Sequence, residues 1–307
     1  MSSKPSSNNK SGQQGSNQRT PNPNVRKKGK KKKSQPGKKK DSNAFVWAVV
    51  ALVVVAFGAM ILWSGSSPKS NPSPAASEKL SASEMAQLSD VPTAVLEKAA
   101  AGGGGLPSKA PADTPPLVSN GKPEIAYIGA EFCPYCAGER WPLVQALTRF
   151  GTFKDLAKSA SGPPPESYPN TPTVSFYGSS YTSDYIVFSP VETADSEGAP
   201  LEKMTPEQQK LLDTYGSNGA IPFLDVGGLY IKNGASVSPE LLSTAGMTTV
   251  TQVLNSLADP VSTVGQSING SANVLAAAIC EATGGKPSDV CTSNAVKIGA
   301  AALQSGT

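Results

Sequence analysis

Two cysteines with two residues between them, Cys133 and Cys136, have the clearest capacity for chemistry in this chain. They follow a short apolar run, Ile125 to Ile128, and precede the segment Ala137 to Phe150, where large apolar residues recur every third position. This pattern predicts a buried strand followed by a helix that begins at the motif. Unpaired N–H groups and the helix dipole favour thiolate at a helix N-terminus. The spacing therefore predicts a reactive dithiol in which Cys133 attacks and Cys136, one turn later, resolves a mixed disulfide.

The residues that flank the two cysteines bear on this prediction. Pro134 has no N–H to leave unpaired, and its ring fixes the backbone at the start of the helix. Glu131 and Glu139 lie on either side of the motif. Both are expected to be solvated surface carboxylates, and a relay of protons through water to the dithiol is the alternative. Arg140 is expected to contribute only a distant positive charge.

Other uses of the four cysteines must be weighed against redox chemistry. A C-x-x-C pair also fits half of a zinc site or an inert structural disulfide. The remaining cysteines, Cys280 and Cys291, have ten residues between them, which is poor spacing for zinc, so no metal site is expected. They bracket a glycine-containing turn and are expected to form a structural disulfide across two helices, with electron exchange with the first pair as the alternative.

The composition excludes several classes of site and partner. The chain has 307 residues and no histidine, which excludes Ser-His-Asp and Cys-His arrangements and histidine-ligated metals. Its net charge of +4 is misleading, because residues 1–43 hold 13 of the 27 Lys and Arg residues but one of the 23 acidic residues. From residue 64 onward, 14 basic residues face 22 acidic residues. A nucleic-acid-binding globular domain is therefore not expected.

The N-terminal part of the sequence predicts a membrane anchor. Residues 1–43 are polar and basic and are expected to form a disordered cytoplasmic tail. Residues 44–63 contain no charge and are long enough to cross a bilayer as a helix. Because the basic flank lies before this segment, the C-terminal part is expected outside the cytoplasm of a single-pass membrane protein. A cleaved signal peptide is the alternative.

The rest of the chain divides by composition. Residues 64–116 are expected to be a linker with a short helical segment, residues 117–254 an α/β domain, and residues 255–307 a helical C-terminal extension. Thr152 to Ala160 is interpreted as a continuation of the helix that follows the motif. Four more segments are predicted to be strands: Val174 to Tyr177, Tyr185 to Phe188, and a hairpin of Phe223 to Val226 and Leu229 to Ile231.

The segment Ala130 to Cys136 resembles the active-site stretch of the thioredoxin superfamily. The dipeptide between its cysteines, Pro134 and Tyr135, resembles that of glutaredoxins, and Phe132 stands where thioredoxins carry tryptophan. The exported region also resembles a little-characterised family of membrane-anchored, thioredoxin-like bacterial and archaeal proteins of unknown function. The resemblance implies a thioredoxin-like fold, here with an insertion at about residues 161–200, the C-terminal helical extension and one N-terminal transmembrane helix.

The same resemblance implies a cis-proline loop that faces the dithiol. Ile221-Pro222 precedes a hairpin and then a helix, which is the expected order, and it is favoured over Thr171-Pro172. One departure is Tyr127, which stands where many relatives have a buried acid that helps to deprotonate the resolving thiol.

These observations predict a membrane-anchored, extracytoplasmic thiol–disulfide oxidoreductase. Its partners would be exported protein thiols and disulfides and an unidentified redox partner, and it would need no cofactor beyond the dithiol. The alternative is a non-catalytic, thioredoxin-like binding or assembly module at the membrane surface, in which the C-x-x-C pair is a fixed disulfide.

Overall fold

The computed structural model describes residues 78–99 and 105–305 of the chain, which form a mixed α/β structure with helices packed on a sheet. The cytoplasmic tail and membrane helix predicted for residues 1–43 and 44–63 lie outside the described residues. Within the described ranges, no helix is both long and apolar enough to cross a membrane.

The strands of the described part form one main sheet and two small ladders. They are β1 (Ser108–Lys109), β2 (Val118–Ser119), β3 (Lys122–Gly129), β4 (Thr152–Lys154), β5 (Ala157–Ala160), β6 (Pro172–Ser175), β7 (Ser180–Thr182), β8 (Val187–Glu192), β9 (Phe223–Val226) and β10 (Tyr230–Asn233). In the main sheet, β3 pairs in parallel with β8 and antiparallel with β9 and β2, and β9 continues through β10 to β1. The small ladders pair β4 with β7 and β5 with β6.

The helices of the described part lie before, between and after these strands. They are α1 (Ala82–Ser89), α2 (Thr93–Lys98), α3 (Pro134–Leu147), α4 (Pro206–Tyr215), α5 (Pro239–Thr244), α6 (Val250–Leu257), α7 (Thr263–Ala282), α8 (Ser288–Cys291) and α9 (Asn294–Ser305). Local sequence signals set several boundaries. Thr205 caps α4, because its hydroxyl accepts a hydrogen bond from the Gln208 N–H at 3.2 Å.

The central strand β3 is buried on both faces, which explains its continuous apolar run. Ile125 and Tyr127 belong to the large core that also contains residues of α3 and α7. Ile128 belongs to a smaller core, where it lies with Phe223 of β9 and Leu212 of α4. Because β3 ends directly before the C-x-x-C motif, this buried strand holds the dithiol in place.

Helix α3 is buried along almost its whole length, not on one side only. The predicted stripe of Trp141, Val144, Leu147 and Phe150 is buried as expected. The helix is more enclosed than its stripe suggests because it packs against β6 and against α7. Trp141 secures one of these contacts, since its indole N–H donates to the Pro172 carbonyl at 2.9 Å.

The helix predicted for Thr152 to Ala160 is wrong. This segment forms β4 and β5, whose residues pair with β7 and β6. Tertiary pairing overrides local helical composition here, because Phe153 and Leu156 are buried in the core while the backbone of residues 152–154 and 157–160 pairs with neighbouring strands. The strand predicted to begin at Tyr185 begins instead at Val187. The glycine hairpin between β9 and β10 is confirmed.

The segments on either side of the α/β domain pack into its core. Leu88, Val91 and Val95, from the described part of the predicted linker, are buried. Asn273 of α7 accepts a hydrogen bond from the Arg149 guanidinium at 2.9 Å and donates to the Leu96 carbonyl at 2.8 Å. These bonds connect three parts of the chain that the sequence analysis treats as separate.

The predicted disulfide between Cys280 and Cys291 is present and joins the end of α7 to α8. We expect the variant Cys280→Ser/Cys291→Ser to lose about 3 kcal/mol in the free energy of unfolding, because the bridge closes a short loop in the unfolded chain. Urea denaturation of the oxidised full-length protein and the variant measures the difference. The alkylation rate of Cys133 should be unchanged, and a large change in that rate would favour electron exchange between the pairs over a structural role.

Candidate active site at the C-x-x-C motif

Cys133 is the N-cap residue of α3, and Pro134 occupies the first helical turn, as predicted. The backbone of Cys133 is extended, with φ −74° and ψ 118°, so the chain turns into the helix at this residue. Its sulfur accepts a hydrogen bond from the Cys136 N–H at 3.3 Å. Thus a thiol performs the capping role usually filled by a hydroxyl or carboxylate oxygen.

The two thiols differ in their access to solvent. Both are free cysteines, but Cys133 is 7% exposed and Cys136 is 0% exposed. Cys133 therefore lies at the surface edge of the site, while Cys136 lies one helical turn deeper. Of the two thiols, only Cys133 has surface that a reagent in solution can contact.

Electrostatics also separate the two thiols. The pKa of Cys133 is lowered to about 7, chiefly by the hydrogen bond from the Cys136 thiol, with help from the Cys136 N–H and the positive charge of Arg140, and against the effect of burial. Burial raises the pKa of Cys136 well above its ordinary value, and the neighbouring Cys133 raises it further. Near neutral pH, Cys133 is therefore present as both thiol and thiolate, while Cys136 is protonated.

The Ile221-Pro222 peptide bond is cis and lies beside the dithiol, as the thioredoxin resemblance implies, whereas Thr171-Pro172 is not a cis bond. The Cys133 thiol lies 3.8 Å from the Ile221 carbonyl oxygen, toward which it donates. Pro222 directly precedes β9, which pairs with β3, so the sheet holds this loop against the helix start. Two further cis prolines, Pro165 and Pro287, had no recognised signal in the sequence.

A buried ion pair lies directly behind the dithiol. Arg140 of α3 and Glu192 at the end of β8 are both fully buried. The guanidinium makes two parallel hydrogen bonds to the carboxylate, at 2.8 and 2.6 Å, and a third to the Ala130 carbonyl at 2.7 Å. Arg140 thereby connects the parallel strand to the loop that leads into Cys133.

Arg140 does more than supply the distant positive charge that its place in the sequence predicts. A usable signal was present, because Arg140 follows Cys136 by four residues, which is one helical turn, and precedes the buried Trp141. Its partner had no such signal, since Glu192 is 52 residues away in the chain.

Tyr127 is fully buried beside the dithiol, at the position where the resemblance implies an acid. Its ring meets Phe176 edge-on, with the centroids 5.1 Å apart, and its hydroxyl has no hydrogen-bond partner among the described residues. Burial raises the pKa of Tyr127 well above its ordinary value. The phenol is therefore neutral and supplies no carboxylate for deprotonating Cys136.

The expectation that Glu131 and Glu139 are solvated is wrong, because both are 0% exposed. The Ser175 hydroxyl donates to Glu131, and the Ser236 N–H donates to Glu139 at 2.5 Å. Burial raises the pKa of each carboxyl group. Glu131 is enclosed because the strand β6 and the loop after β8 cover the approach to the motif, while Glu139 lies against the loop after β10.

The surface around Cys133 is aromatic. Tyr135, between the two cysteines, is 47% exposed, and its ring lies edge-on to Tyr168 with the centroids 6.4 Å apart. Phe132 is half-buried on the other side. The structure thus gathers the predicted residues Phe132, Tyr135, Ile221 and Pro222 around Cys133 at the edge of the site. In the described ranges, His, Cys, Asp and Glu side chains form no group of three that could hold a metal ion.

Comparison with known proteins places the chain in a family. Residues 110–281, more than half of the chain, match the family model described as "Domain of unknown function (DUF929)". The chain therefore belongs to this family. No curated protein and no solved structure matches it.

Proposed function

We propose that the protein is a thiol–disulfide oxidoreductase in which Cys133 is the attacking thiol and Cys136 the resolving thiol. The observation that carries the proposal is the asymmetry of the pair. Cys133 caps a helix, is 7% exposed and has a lowered pKa, whereas Cys136 is 0% exposed and has a raised pKa. Disulfide exchange needs a nucleophilic thiol at the edge of the site and a second thiol close enough to attack the mixed disulfide.

The topology supports a thioredoxin-like fold for this activity. Strand β3, the C-x-x-C helix α3, strand β8, helix α4, the hairpin β9–β10 and helix α5 occur in this order along the chain, with the short strands β4 to β7 inserted between α3 and β8. The cis proline at Pro222 faces the dithiol, which is the second feature that the thioredoxin resemblance implies.

The reaction balances with the two sulfurs of the motif alone. The Cys133 thiolate attacks one sulfur of a substrate disulfide, forms a mixed disulfide and expels the other sulfur as a thiolate. That leaving thiolate takes the Cys136 proton. The Cys136 thiolate then attacks the Cys133 sulfur and expels the second substrate thiolate, so that two electrons reach the substrate and a Cys133–Cys136 disulfide remains. The reverse sequence oxidises a substrate dithiol.

The proposal also includes the cellular setting. The apolar segment at residues 44–63 would anchor the domain to a membrane, and the basic residues before it would hold the N-terminus in the cytoplasm. A disulfide at Cys280 and Cys291 is compatible with an oxidising compartment. The substrates would then be exported proteins.

A redox titration of the full-length protein in detergent tests the activity. The protein is equilibrated in graded glutathione buffers and alkylated, and the two pairs are followed separately by mass spectrometry. We expect a midpoint for Cys133–Cys136 between about −120 and −270 mV, while Cys280–Cys291 in the same sample stays oxidised. If Cys133–Cys136 also stays oxidised well below about −300 mV, the proposal fails and the pair is a structural bridge in a binding module.

A further inference from the structure

A groove opens beside the active-site loop and is not used by the exchange mechanism described above. It has a volume of about 630 Å³, which is within the range of ligand-binding clefts. One wall is the proline run Pro163 to Pro165, with Glu166 at its end. The opposite wall is the loop Ser196 to Gly198, and Phe132 lies between them. We call this feature the proline groove.

Backbone hydrogen bonds attach both walls to the residues that lead into Cys133. The Gly162 N–H donates to the Phe132 carbonyl at 2.8 Å, which fixes the proline wall. The Glu131 N–H donates to the Ala194 carbonyl at 2.8 Å, which fixes the opposite wall. Phe132, which lines the proline groove, directly precedes Cys133 in the chain, so a polypeptide lying in the groove would pass next to the residue that leads into the attacking thiol.

The walls are preformed surfaces and not open loops. On the first, the Glu166 N–H donates to the Pro163 carbonyl at 3.2 Å and closes a turn. On the second, the Asp195 carboxylate accepts from the Glu197 and Ala199 N–H groups at 2.9 and 2.8 Å. Since these bonds exist before a ligand arrives, binding would order few new groups.

The chemistry of the groove selects one kind of occupant. Phe132 and three prolines give it an apolar lining, and the charged residues that line it, Glu166 and Glu197, are both acidic. The wall segments Gly162 to Glu166 and Asp195 to Ala199 carry three acidic residues, Glu166, Asp195 and Glu197, and neither a lysine nor an arginine. A positively charged, partly apolar polypeptide matches this surface, and an acidic one is repelled.

We infer that the proline groove is the substrate-docking surface of this protein and binds a polypeptide segment with lysine or arginine near its reactive cysteine. This inference rests on the proposed function, which supplies the chemistry at Cys133. It adds the class of substrate, namely basic segments next to the disulfide that is exchanged. Electrostatic attraction to Glu166 and Glu197 favours such segments, and the proline wall contacts their apolar atoms.

Binding and exchange are measured separately on the full-length protein in detergent. The binding probes are two short fluorescein-labelled peptides with serine in place of cysteine, one with lysines and one with glutamates beside that serine. Fluorescence anisotropy gives their affinities. The exchange probes are the same peptides with cysteine, each as a mixed disulfide with glutathione, and the rate of glutathione release is recorded.

We expect the lysine peptide to bind more tightly than the glutamate peptide. The variant Glu166→Gln/Glu197→Gln should weaken lysine-peptide binding by about three- to tenfold, which is the effect of two partly exposed charge pairs. Added salt should reduce the preference. The matched control Asp213→Asn/Asp289→Asn removes two exposed carboxylates outside the groove and should leave both affinities unchanged.

The two readouts separate failure of this inference from failure of the proposed function. Equal binding of both peptides, or equal weakening by the groove and control variants, overturns the docking surface even if the dithiol exchanges rapidly. Selective lysine-peptide binding that the groove variant removes supports the docking surface even if no exchange occurs, and in that case the oxidoreductase proposal alone fails.

Discussion

At pH 7 the Cys133 thiol should react with a small disulfide about sixfold faster than an ordinary cysteine thiol. Lowering the pKa from 9.0 to about 7 makes about half of the thiol ionised, which is about fiftyfold more thiolate than an ordinary cysteine has at this pH. The less basic thiolate is also a weaker nucleophile, by about eightfold for two pKa units. The increase in thiolate is larger than the loss of nucleophilicity, so the net increase in rate is about sixfold.

Two single variants test this assignment of the thiols. Cys136→Ser should accumulate a stable mixed disulfide at Cys133, because the resolving thiol is missing. Cys133→Ser should lose almost all exchange, because Cys136 is fully buried and its pKa is raised. Reduced full-length protein is mixed with an aromatic disulfide from pH 5 to pH 9. Mass spectrometry detects the mixed disulfide, and absorbance gives the rate at which the aromatic thiol is released.

The rate of exchange at Cys133 should increase with pH over a defined range. The rate at Cys133 should rise through pH 7 and level off above about pH 8, since the thiolate fraction is then complete. Cys280→Ser/Cys291→Ser is the control that removes the other pair. Equal trapping by both single variants, or a rate that still rises at pH 9, would contradict the assignment of Cys133 as the nucleophile.

Breaking the buried ion pair should cause the largest loss of stability among these variants. Glu192→Gln leaves the Arg140 guanidinium in the core without its anion, and removing one partner of a buried pair costs about 3–5 kcal/mol. Replacing both residues, as in Arg140→Met/Glu192→Leu, removes the two charges together and should recover much of that loss. Urea denaturation of the full-length proteins measures each free energy of unfolding.

The double variant also separates the structural role of Arg140 from its electrostatic role. The positive charge of Arg140 helps to lower the pKa of Cys133, so its removal should move the alkylation midpoint of Cys133 to higher pH. A role limited to packing predicts no movement. Tyr127→Phe is the matched control, because its hydroxyl has no hydrogen-bond partner in the described part of the chain and its loss leaves the ion pair intact.

If Glu192→Gln costs less than about 1 kcal/mol, the pair does not support the core as argued. If the double variant is folded and its alkylation midpoint is unchanged, Arg140 does not influence the thiolate. Both results together would limit Arg140 to holding the Ala130 carbonyl and the loop before Cys133.

The sequence by itself determined the features whose causes lie within a few residues. Cys133 and Pro134 place the dithiol at the start of a helix, because the capping group and the proline act on the adjacent turn. The hairpin at Gly227-Gly228 follows for the same reason, since both glycines adopt positive φ there. The disulfide between Cys280 and Cys291 also spans a short stretch of chain.

Only the tertiary structure decided which polar groups are buried and what surrounds the dithiol. Arg140 pairs with Glu192, which is 52 residues away in the chain, and Glu131 accepts a hydrogen bond from Ser175, which is 44 residues away. No local spacing predicts either contact. The proline groove likewise forms between two loops that are distant in the chain, and the pairing of β8 with β3 places the second loop beside the motif. Packing between distant segments decides which groups are buried and which charges pair. The hydrophobic pattern of one segment predicts which of its own faces is buried, but it does not predict which other segment covers that face.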